Sequence, residues 1–284
     1  MIDEAVAEIE RMGTHSSSVV AVKAAEALRE LLDREYPTVE KYVRDLERNS
    51  SALRRANPSH ASLHTTQREI VRAVEKADTP DLAAAMEETT AAIDRVVERV
   101  TTGKQRAAEA AAASFSDGET ILTHDFSTTL LEAIETAARD GTHLDVYVTE
   151  ARPRYLGRKA ARTLAGIDRV EPHLLVDSAA GEVLDDCDRA VFGMTCVVDD
   201  SYYNRVGTFP IAATANELAV PVVVVGSSSK VIDTGGFSFE NEFRSPVEVM
   251  REPAEGFDVH NPAYDATPLH LVDSIITDEG MRTP

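Results

Sequence analysis

The chain has 284 residues, of which 43% are hydrophobic and 27% charged, a globular composition that excludes wholesale disorder. Acidic residues outnumber basic residues by 49 to 29, only six of the basic residues are lysines, and the formal net charge is −20. An acidic surface repels phosphate backbones, which argues against direct nucleic-acid binding as the main activity. Acid-rich, lysine-poor composition is typical of proteins solvated in very high salt. We therefore expect a halophilic source, with an ordinary acidic cytosolic protein as the alternative.

Nothing in the sequence indicates a membrane or an oxidising compartment. No apolar run reaches the roughly 18 residues of a spanning helix, and the acidic N-terminal segment does not resemble a signal peptide. Cys187 and Cys196 lack the spacing of a zinc site, and His60 and His64 have no acidic or thiol neighbours in the sequence. We predict a cytoplasmic protein with free thiols, no metal and no cofactor.

The part of the chain before residue 115 is predicted to be helical. Apolar residues recur there at intervals of three and four, which is the spacing of one helix face. The segments with this pattern are 16–33, 37–48, 65–77 and 82–114, the last of them rich in alanine. Residues 1–114 are therefore assigned to an N-terminal helical domain.

From residue 115 onwards, short apolar runs of strand type alternate with helical segments. The predicted strands are 120–123, 144–149, 173–176, 190–196 and 220–226, and the predicted helices are 128–139, 155–165 and 208–218. Such alternation is typical of the α/β class with a doubly wound parallel sheet. Residues 115–284 are thus predicted to form a Rossmann-like domain, a mainly parallel sheet flanked by helices. The last part, 253–280, is predicted to be loop-rich and to finish with a short helix over 268–277.

Polar or glycine-rich residues follow each predicted strand, where such sheets bind ligands. Each segment alone is compatible with ordinary turn chemistry, but five in succession favour a pocket. Neither GxGxxG nor GxxxxGK[ST] is present. Three features could still bind an anion: the serines before Lys230, the start of the helix at Thr208, and the hydroxyl-rich segment 13–18.

Five segments, in one order along the chain, resemble the initiation factor 2B alpha/beta/delta subunit family. They are Ile121–His124, Thr149–Arg154 with Gly157 and Arg158, Val176–Ala180, Asn204–Thr208 and Asn261–Pro268. The resemblance covers about residues 10–280. The family also contains isomerases of ribose-1,5-bisphosphate and of methylthioribose-1-phosphate. Membership implies a helical N-terminal domain, a Rossmann-like C-terminal domain, and homodimers or larger homo-oligomers formed mainly through the latter.

The resemblance also implies two reacting groups in the isomerases, a cysteine directly after the Thr-His pair and an aspartate in a Gly-Ala-Asp motif. The matching positions here hold Asp125 and Thr195. Threonine is no carboxylate base at neutral pH, and an aspartate does not replace a thiol of different pKa and reactivity. Cys196 is adjacent to Thr195, but a shift of one residue along a strand points to the opposite face.

The phosphate-binding side of the family is better matched. The residues that correspond to its phosphate ligands are Asn204, Arg205 and Lys230 and, more loosely, Arg55 and Arg152. The family's Arg-Gly-Ala loop reads Met12-Gly13-Thr14 here, without the arginine.

Two functions follow. The first is a noncatalytic initiation factor 2B-like regulatory subunit, contacting initiation factor 2 and carrying a vestigial or sensing pocket for a sugar phosphate or nucleoside monophosphate. The alternative is a divergent aldose-ketose isomerase that uses Asp125 on a phosphorylated sugar such as ribose-1,5-bisphosphate.

Overall fold

The computed structural model describes residues 2–11, 17–58, 60–77, 81–232, 237–252 and 255–284. The chain forms two compact units, the first from residues 1–103 and 229–240 and the second from 104–228 and 241–284. The domain boundary predicted at residue 114 stays a prediction. The division into units falls within one continuous helix, where no change of sequence pattern marks it.

The first unit is built from helices, which confirms the prediction for this part of the chain. They are α1 (Ile2–Arg11), α2 (Ser17–Ala27, extended by a 3-10 turn over Leu28–Leu31), α3 (Val39–Ala56), α4 (Ala61–Lys76) and α5 (Leu82–Ala112). Thr38 begins α3, because its side chain accepts a hydrogen bond from the Lys41 N–H at 3.3 Å. Helix α3 continues past the predicted end, since Leu53 still faces the core and is fully buried. No helix in the described ranges is long and apolar enough to cross a membrane.

The second unit contains a seven-stranded sheet in the order β11-β10-β7-β4-β1-β2-β3. Its neighbouring strands are parallel except for the last pair, β10 with β11, so the mainly parallel α/β prediction is confirmed. The strands and helices are β1 (Glu119–His124), α6 (Thr128–Arg139), β2 (Leu144–Thr149), α7 (Leu156–Leu164), β3 (Val170–Leu175), α8 (Ala180–Val183), β4 (Arg189–Gly193), β5 (Cys196–Val198), β6 (Ser201–Arg205), α9 (Thr208–Glu217), β7 (Val222–Val225), β8 (Val231–Ile232, in the first unit), β9 (Tyr264–Pro268), β10 (Ser274–Thr277) and β11 (Gly280–Arg282).

The helix predicted over 268–277 is wrong. After a short 3-10 turn the chain forms β10, which pairs in parallel with β7 and buries Ile275 and Ile276. These residues form a strand despite their helical spacing, because the β-branched side chains of Ile275 and Ile276 pack well against a neighbouring strand. This pairing partner lies about 50 residues away in the sequence, and no local pattern identifies it.

A small antiparallel sheet was not among the predictions. Strands β5, β6 and β9 form it, with β6 in the middle. The run predicted as one strand over 190–196 is divided, because β4 ends at Gly193 and β5 begins at Cys196. The carboxyl end of β6 brings Arg205 and Val206 into the site described next.

Candidate phosphate-binding site

Asp125 and Arg205 meet at the carboxyl edge of the parallel sheet. Asp125 follows β1 with a left-handed backbone (φ 68°), a conformation that aspartate tolerates better than most residues. Its carboxylate lies 3.3 Å from Nε of Arg205, and the two side chains are 12% and 21% exposed. The Arg205 guanidinium also lies over the ring of Tyr264, 4.7 Å from its centroid. The structure thus brings together two of the predicted site residues, which are 80 positions apart in the sequence.

The turn after β2 adds two more arginines to the same cavity, Arg152 and Arg154. Asp177 holds this turn, because its carboxylate accepts the backbone N–H groups of Ala151 and Arg152, both at 2.7 Å. The predicted residue Arg152 is exposed at the rim, where its guanidinium donates to the Val249 carbonyl at 3.4 Å. Arg154 is half-buried.

Arg154 and Arg205 carry unpartnered N–H groups inside the protein. Nη1 of each is buried and has no hydrogen-bond partner among the described residues. Burial lowers the pKa of Arg154 below its usual value, and the nearby charges of Arg244 and Arg205 lower it further. A buried donor without an acceptor costs about 1–3 kcal/mol. A phosphate, with several charged acceptor oxygens, would satisfy both guanidinium groups.

The charge of Arg244, the fourth arginine of the cavity, is compensated by two glutamates. Arg244 donates to Glu248 at 3.0–3.1 Å and to Glu242 at 2.7 Å. These hydrogen bonds raise the pKa of Arg244 and hold the pKa of Glu248 below its usual value. Arg205 is paired with Asp125, so among the described residues Arg152 and Arg154 are the cavity arginines without a carboxylate in contact.

The cavity is nearly closed. Its volume is about 20 Å³, which is room for about one water molecule. A phosphorylated sugar enters only when long arginine side chains move aside. Arginine side chains are flexible enough for that movement, whereas the backbone turns that carry them are hydrogen-bonded.

Gly157 makes this part of the framework rigid. A Cβ at this position would lie 1.8 Å from the carbonyl oxygen of Thr149, so the first turn of α7 passes against the end of β2 as only glycine allows. The Arg152–Arg154 turn is thereby fixed at both ends, by Gly157 on one side and Asp177 on the other.

His124 connects the ends of β1 and β2 with the segment before α9. It is buried, with Nδ1 2.6 Å from the Thr149 hydroxyl and Nε2 2.8 Å from the Val206 carbonyl. Because a carbonyl only accepts, Nε2 of His124 donates to Val206. The ring leaves no room for a side chain at Gly207, whose Cβ would lie 2.7 Å from it.

At two of the predicted anion sites, carboxylates of the chain itself accept the hydrogen bonds, and a role of these sites in anion binding stays a prediction. Asp265 accepts the N–H groups of Gly207 and Phe209, at 2.8 and 3.0 Å, and so caps the N-terminus of α9. Asp278 accepts the N–H and hydroxyl of Ser228 at 2.6 and 2.9 Å. Both carboxylates come from distant parts of the chain, where no sequence pattern signals them. The third predicted site, 13–18, lies largely outside the described residues, as does the Met12–Thr14 loop.

The remaining predicted site residues lie elsewhere. Asn204 is buried, and its amide donates to the Thr208 hydroxyl at 3.1 Å. Thr195 follows β4, with its backbone N–H donating to the Tyr203 carbonyl at 3.2 Å. Arg55 and Lys230 belong to the first unit. The roles proposed for these residues stay predictions.

Arg154 and Arg244 are the site residues that sequence reasoning missed. Arg154 stands in the Thr149–Arg154 motif and could have been found as a second cation after β2. Arg244 follows no predicted strand, and only the folded chain brings it to the cavity. Both cysteines are buried, and neither forms a disulfide.

Comparisons with known proteins agree with this architecture. The sequence profile of the initiation factor 2 subunit family matches residues 13–284. A protein named ribose 1,5-bisphosphate isomerase from Haloterrigena turkmenica is 32% identical, over 98% of this chain and 88% of that protein. The solved translation initiation factor eIF-2B of Pyrococcus horikoshii OT3 is 25% identical with a TM-score of 0.79, covering 100% of this chain and 97% of that one. A chain of the tetrameric eIF2B-beta2-delta2 complex from C. thermophilum shares the fold at 19% identity, with a TM-score of 0.77 over 99% and 90% of the two chains.

Proposed function

We propose that this chain, which belongs to the initiation factor 2 subunit family, is a divergent aldose-ketose isomerase that acts on a phosphorylated sugar. The observation that carries the proposal is the pair of buried, unpartnered guanidinium N–H groups of Arg154 and Arg205 beside the Asp125 carboxylate. They offer charge-assisted hydrogen bonds to a phosphate. The relative from Haloterrigena turkmenica supports ribose-1,5-bisphosphate as the first substrate to test.

Asp125 supplies the acid-base chemistry in this proposal. The sugar ring opens by breaking its C1–O bond, and the ring oxygen takes up a proton. The carboxylate then takes the proton from C2 and returns it to C1, while the C2 hydroxyl becomes the ketone and releases the proton that replaces the one used in ring opening. Atoms and electrons balance without a co-reactant. Asp177 and Asp265 are less suited, since each already accepts two backbone N–H groups. Asp125 instead faces the Arg205 side chain and the cavity.

The second candidate is a noncatalytic subunit that senses a phosphorylated metabolite and contacts initiation factor 2. Thr195 favours it, because this residue offers no carboxylate where the isomerases of the family have an aspartate. The solved eIF-2B relative, which matches nearly the whole of both chains, also supports it. Phosphate anchoring alone binds ground and transition states alike and gives little rate.

One assay separates the two candidates. Formation of the ketose product from ribose-1,5-bisphosphate is measured in multimolar KCl for the wild type, Asp125→Asn and Asp125→Cys/Thr195→Asp, with Asp145→Asn, an exchange at a half-buried site on β2, as the matched control. The isomerase predicts wild-type turnover that Asp125→Asn lowers by about 10²–10⁴-fold. Turnover that appears only in the double variant contradicts the isomerase and supports the noncatalytic subunit.

Binding is measured separately, so that loss of affinity is not mistaken for loss of chemistry. Calorimetry with ribose-1,5-bisphosphate is expected to show binding about ten- to a hundredfold weaker for Arg154→Gln and for Arg205→Gln. The sequence-based prediction for Lys230→Ala is of the same size. Equal affinities of the wild type and Arg154→Gln would show that the buried N–H groups do not bind the substrate phosphate.

We also propose that the chain is cytoplasmic and forms a homodimer through its second unit. The solved relative within a tetrameric complex supports association. A charge of −20 on each copy opposes association at low ionic strength, and salt screens it. Sedimentation velocity is expected to show a dimer that strengthens from low to multimolar KCl. A monomer under both conditions would contradict the proposal.

A further inference from the structure

The first unit contains an open cavity of about 590 Å³. Side chains of α3 and α4 line it, together with Phe237. This volume lies within the range of roughly 300–1,000 Å³ that small-molecule sites occupy. This cavity shares no lining residue with the arginine cavity of the second unit. Arg55, which lines it, was loosely matched to a phosphate ligand of the family, but neither function proposed above makes use of this cavity.

Positive charge is concentrated in this cavity although the chain as a whole carries a charge of −20. Four arginines line it, Arg54 and Arg55 from α3 and Arg68 and Arg72 from α4. The cavity also holds three glutamates, of which Glu47 accepts from Arg54 at 3.0 Å. In a chain with 20 more acidic than basic residues, four guanidinium groups around one cavity are a local reversal of the surface charge.

The positive charges around the cavity also affect the pKa of His64. Burial and the charges of Arg54, Arg68 and Arg72 lower its pKa to about 4. The imidazole is therefore neutral at cytosolic pH, and the guanidinium groups keep their charge. Because His64, Arg68 and Arg72 are four residues apart on α4, they form one stripe along the face of that helix that lines the cavity.

The neutral imidazole also forms part of an aromatic surface. The rings of His64 and Phe237 pack at a centroid distance of 4.9 Å with 59° between their planes. An aromatic ring face beside guanidinium groups suits a ligand that combines a planar ring with negative charge. Nucleic-acid bases stack on aromatic side chains of proteins.

We propose that this cavity binds a nucleoside diphosphate, with its phosphates on Arg68 and Arg72 and its base against the His64 and Phe237 rings. Contact with the phosphates is direct, because in multimolar salt charges act only over about 3 Å. Single-stranded RNA offers the same groups, but a net charge of −20 repels the flanking phosphates of a polymer.

The test is calorimetry of the full-length protein in multimolar KCl with ADP, inorganic phosphate and an oligoribonucleotide as probes. Arg72→Gln is expected to weaken ADP binding about ten- to a hundredfold. The matched control is Arg95→Gln on α5, whose guanidinium pairs with Glu88 outside the cavity. This control is expected to bind ADP as the wild type does.

Phe237→Leu separates base stacking from charge. This variant is expected to weaken ADP binding about threefold to tenfold and to leave the weak binding of inorganic phosphate unchanged. Arg154→Gln, in the second unit, is expected to keep ADP binding, so a failure of the isomerase proposal would be seen separately. The proposal is overturned if ADP does not bind, if Arg72→Gln binds it as the wild type does, or if the oligoribonucleotide binds and ADP does not.

Discussion

The two arginine-lined cavities of this protein use the same side chain in different ways. In the second unit Arg154 and Arg205 are held in a nearly closed space of about 20 Å³, with buried N–H groups that lack partners. In the first unit Arg55 and Arg72 are exposed around an open cavity of about 590 Å³. Water solvates the exposed pair, so their charge costs little, whereas Arg205 in the closed cavity is paired with Asp125.

This difference teaches that burial, and not the number of arginines, decides how strongly a site depends on its counter-charges. A charge pair in water contributes about 0–1 kcal/mol, and breaking a buried pair costs about 3–5 kcal/mol. The closed cavity is therefore expected to respond to single substitutions of its framework and partners, and the open cavity only to changes in its ligand contacts.

The largest expected effect tests whether the closed cavity is rigid. Gly157→Ala places a Cβ 1.8 Å from the Thr149 carbonyl oxygen, so α7 must move away from β2. We expect a loss of about 3 kcal/mol or more in the free energy of unfolding, measured by denaturant titration. Gly181→Ala is the control, because its Cβ makes an ordinary contact of 3.5 Å with Thr214. Equal stability of the two variants would show that the turn before α7 yields easily.

The second test compares one acidic partner from each cavity. Asp125→Asn leaves Arg205 without its carboxylate in a space where that carboxylate is 12% exposed. We expect a loss of about 1–3 kcal/mol, less than for a fully buried pair. Glu47→Gln removes the partner of Arg54 at a site where Glu47 is 46% exposed, and is expected to cost less than about 1 kcal/mol.

Melting temperatures measured with inorganic phosphate give a second readout for Asp125→Asn. If the closed cavity binds an anion, phosphate is expected to raise the melting temperature of Asp125→Asn more than that of the wild type, since it replaces the lost negative charge. An equal rise in both proteins would contradict the assignment of the cavity as a phosphate site.

The third effect is a dependence of the free energy of unfolding on pH, caused by His64 in the open cavity. The pKa of His64 is lowered from 6.5 to about 4 in the folded state, so between these pH values the unfolded chain binds the additional proton. The contribution of His64 to the free energy of unfolding is fully present above pH 6.5 and is lost as the pH falls towards 4. Because the ring is partly exposed, we expect this loss to be roughly 1–2 kcal/mol. His64→Gln is expected to remove that part of the acid sensitivity. The measurement is the difference in unfolding free energy between the variant and the wild type from pH 7 to pH 4.

The smallest expected effect concerns the helix start that the sequence had indicated as an anion site. Asp265→Asn weakens the cap that accepts the N–H groups of Gly207 and Phe209. We expect a loss of about 1 kcal/mol of unfolding free energy. Calorimetric affinity for ribose-1,5-bisphosphate is expected to stay unchanged, and an increase in affinity would show that the helix start can bind the ligand once its own carboxylate is weakened.

The sequence by itself determined the parallel strands β1 to β4 and β7 of the second unit and the helices α6, α7 and α9. The bounds of α6 and β2 agree with their predicted ranges, because periodic apolar patterns reflect contacts within one helix or strand. Asp125 and Arg205 were identified from their positions after apolar runs and from the family resemblance. The helical character of the first unit follows in the same way from spacing alone.

Only the tertiary structure decided which of these residues meet. Arg205 and Asp125 are 80 positions apart, and Arg244 reaches the same cavity from a loop without a sequence signal. Asp265 fills the helix start that the sequence left open, and Ile275 and Ile276 form a strand because β7 lies beside them. Ion pairs, caps and strand pairing depend on distances through space. The local spacing of residues along the chain records contacts within an element and carries no information on such distances between elements.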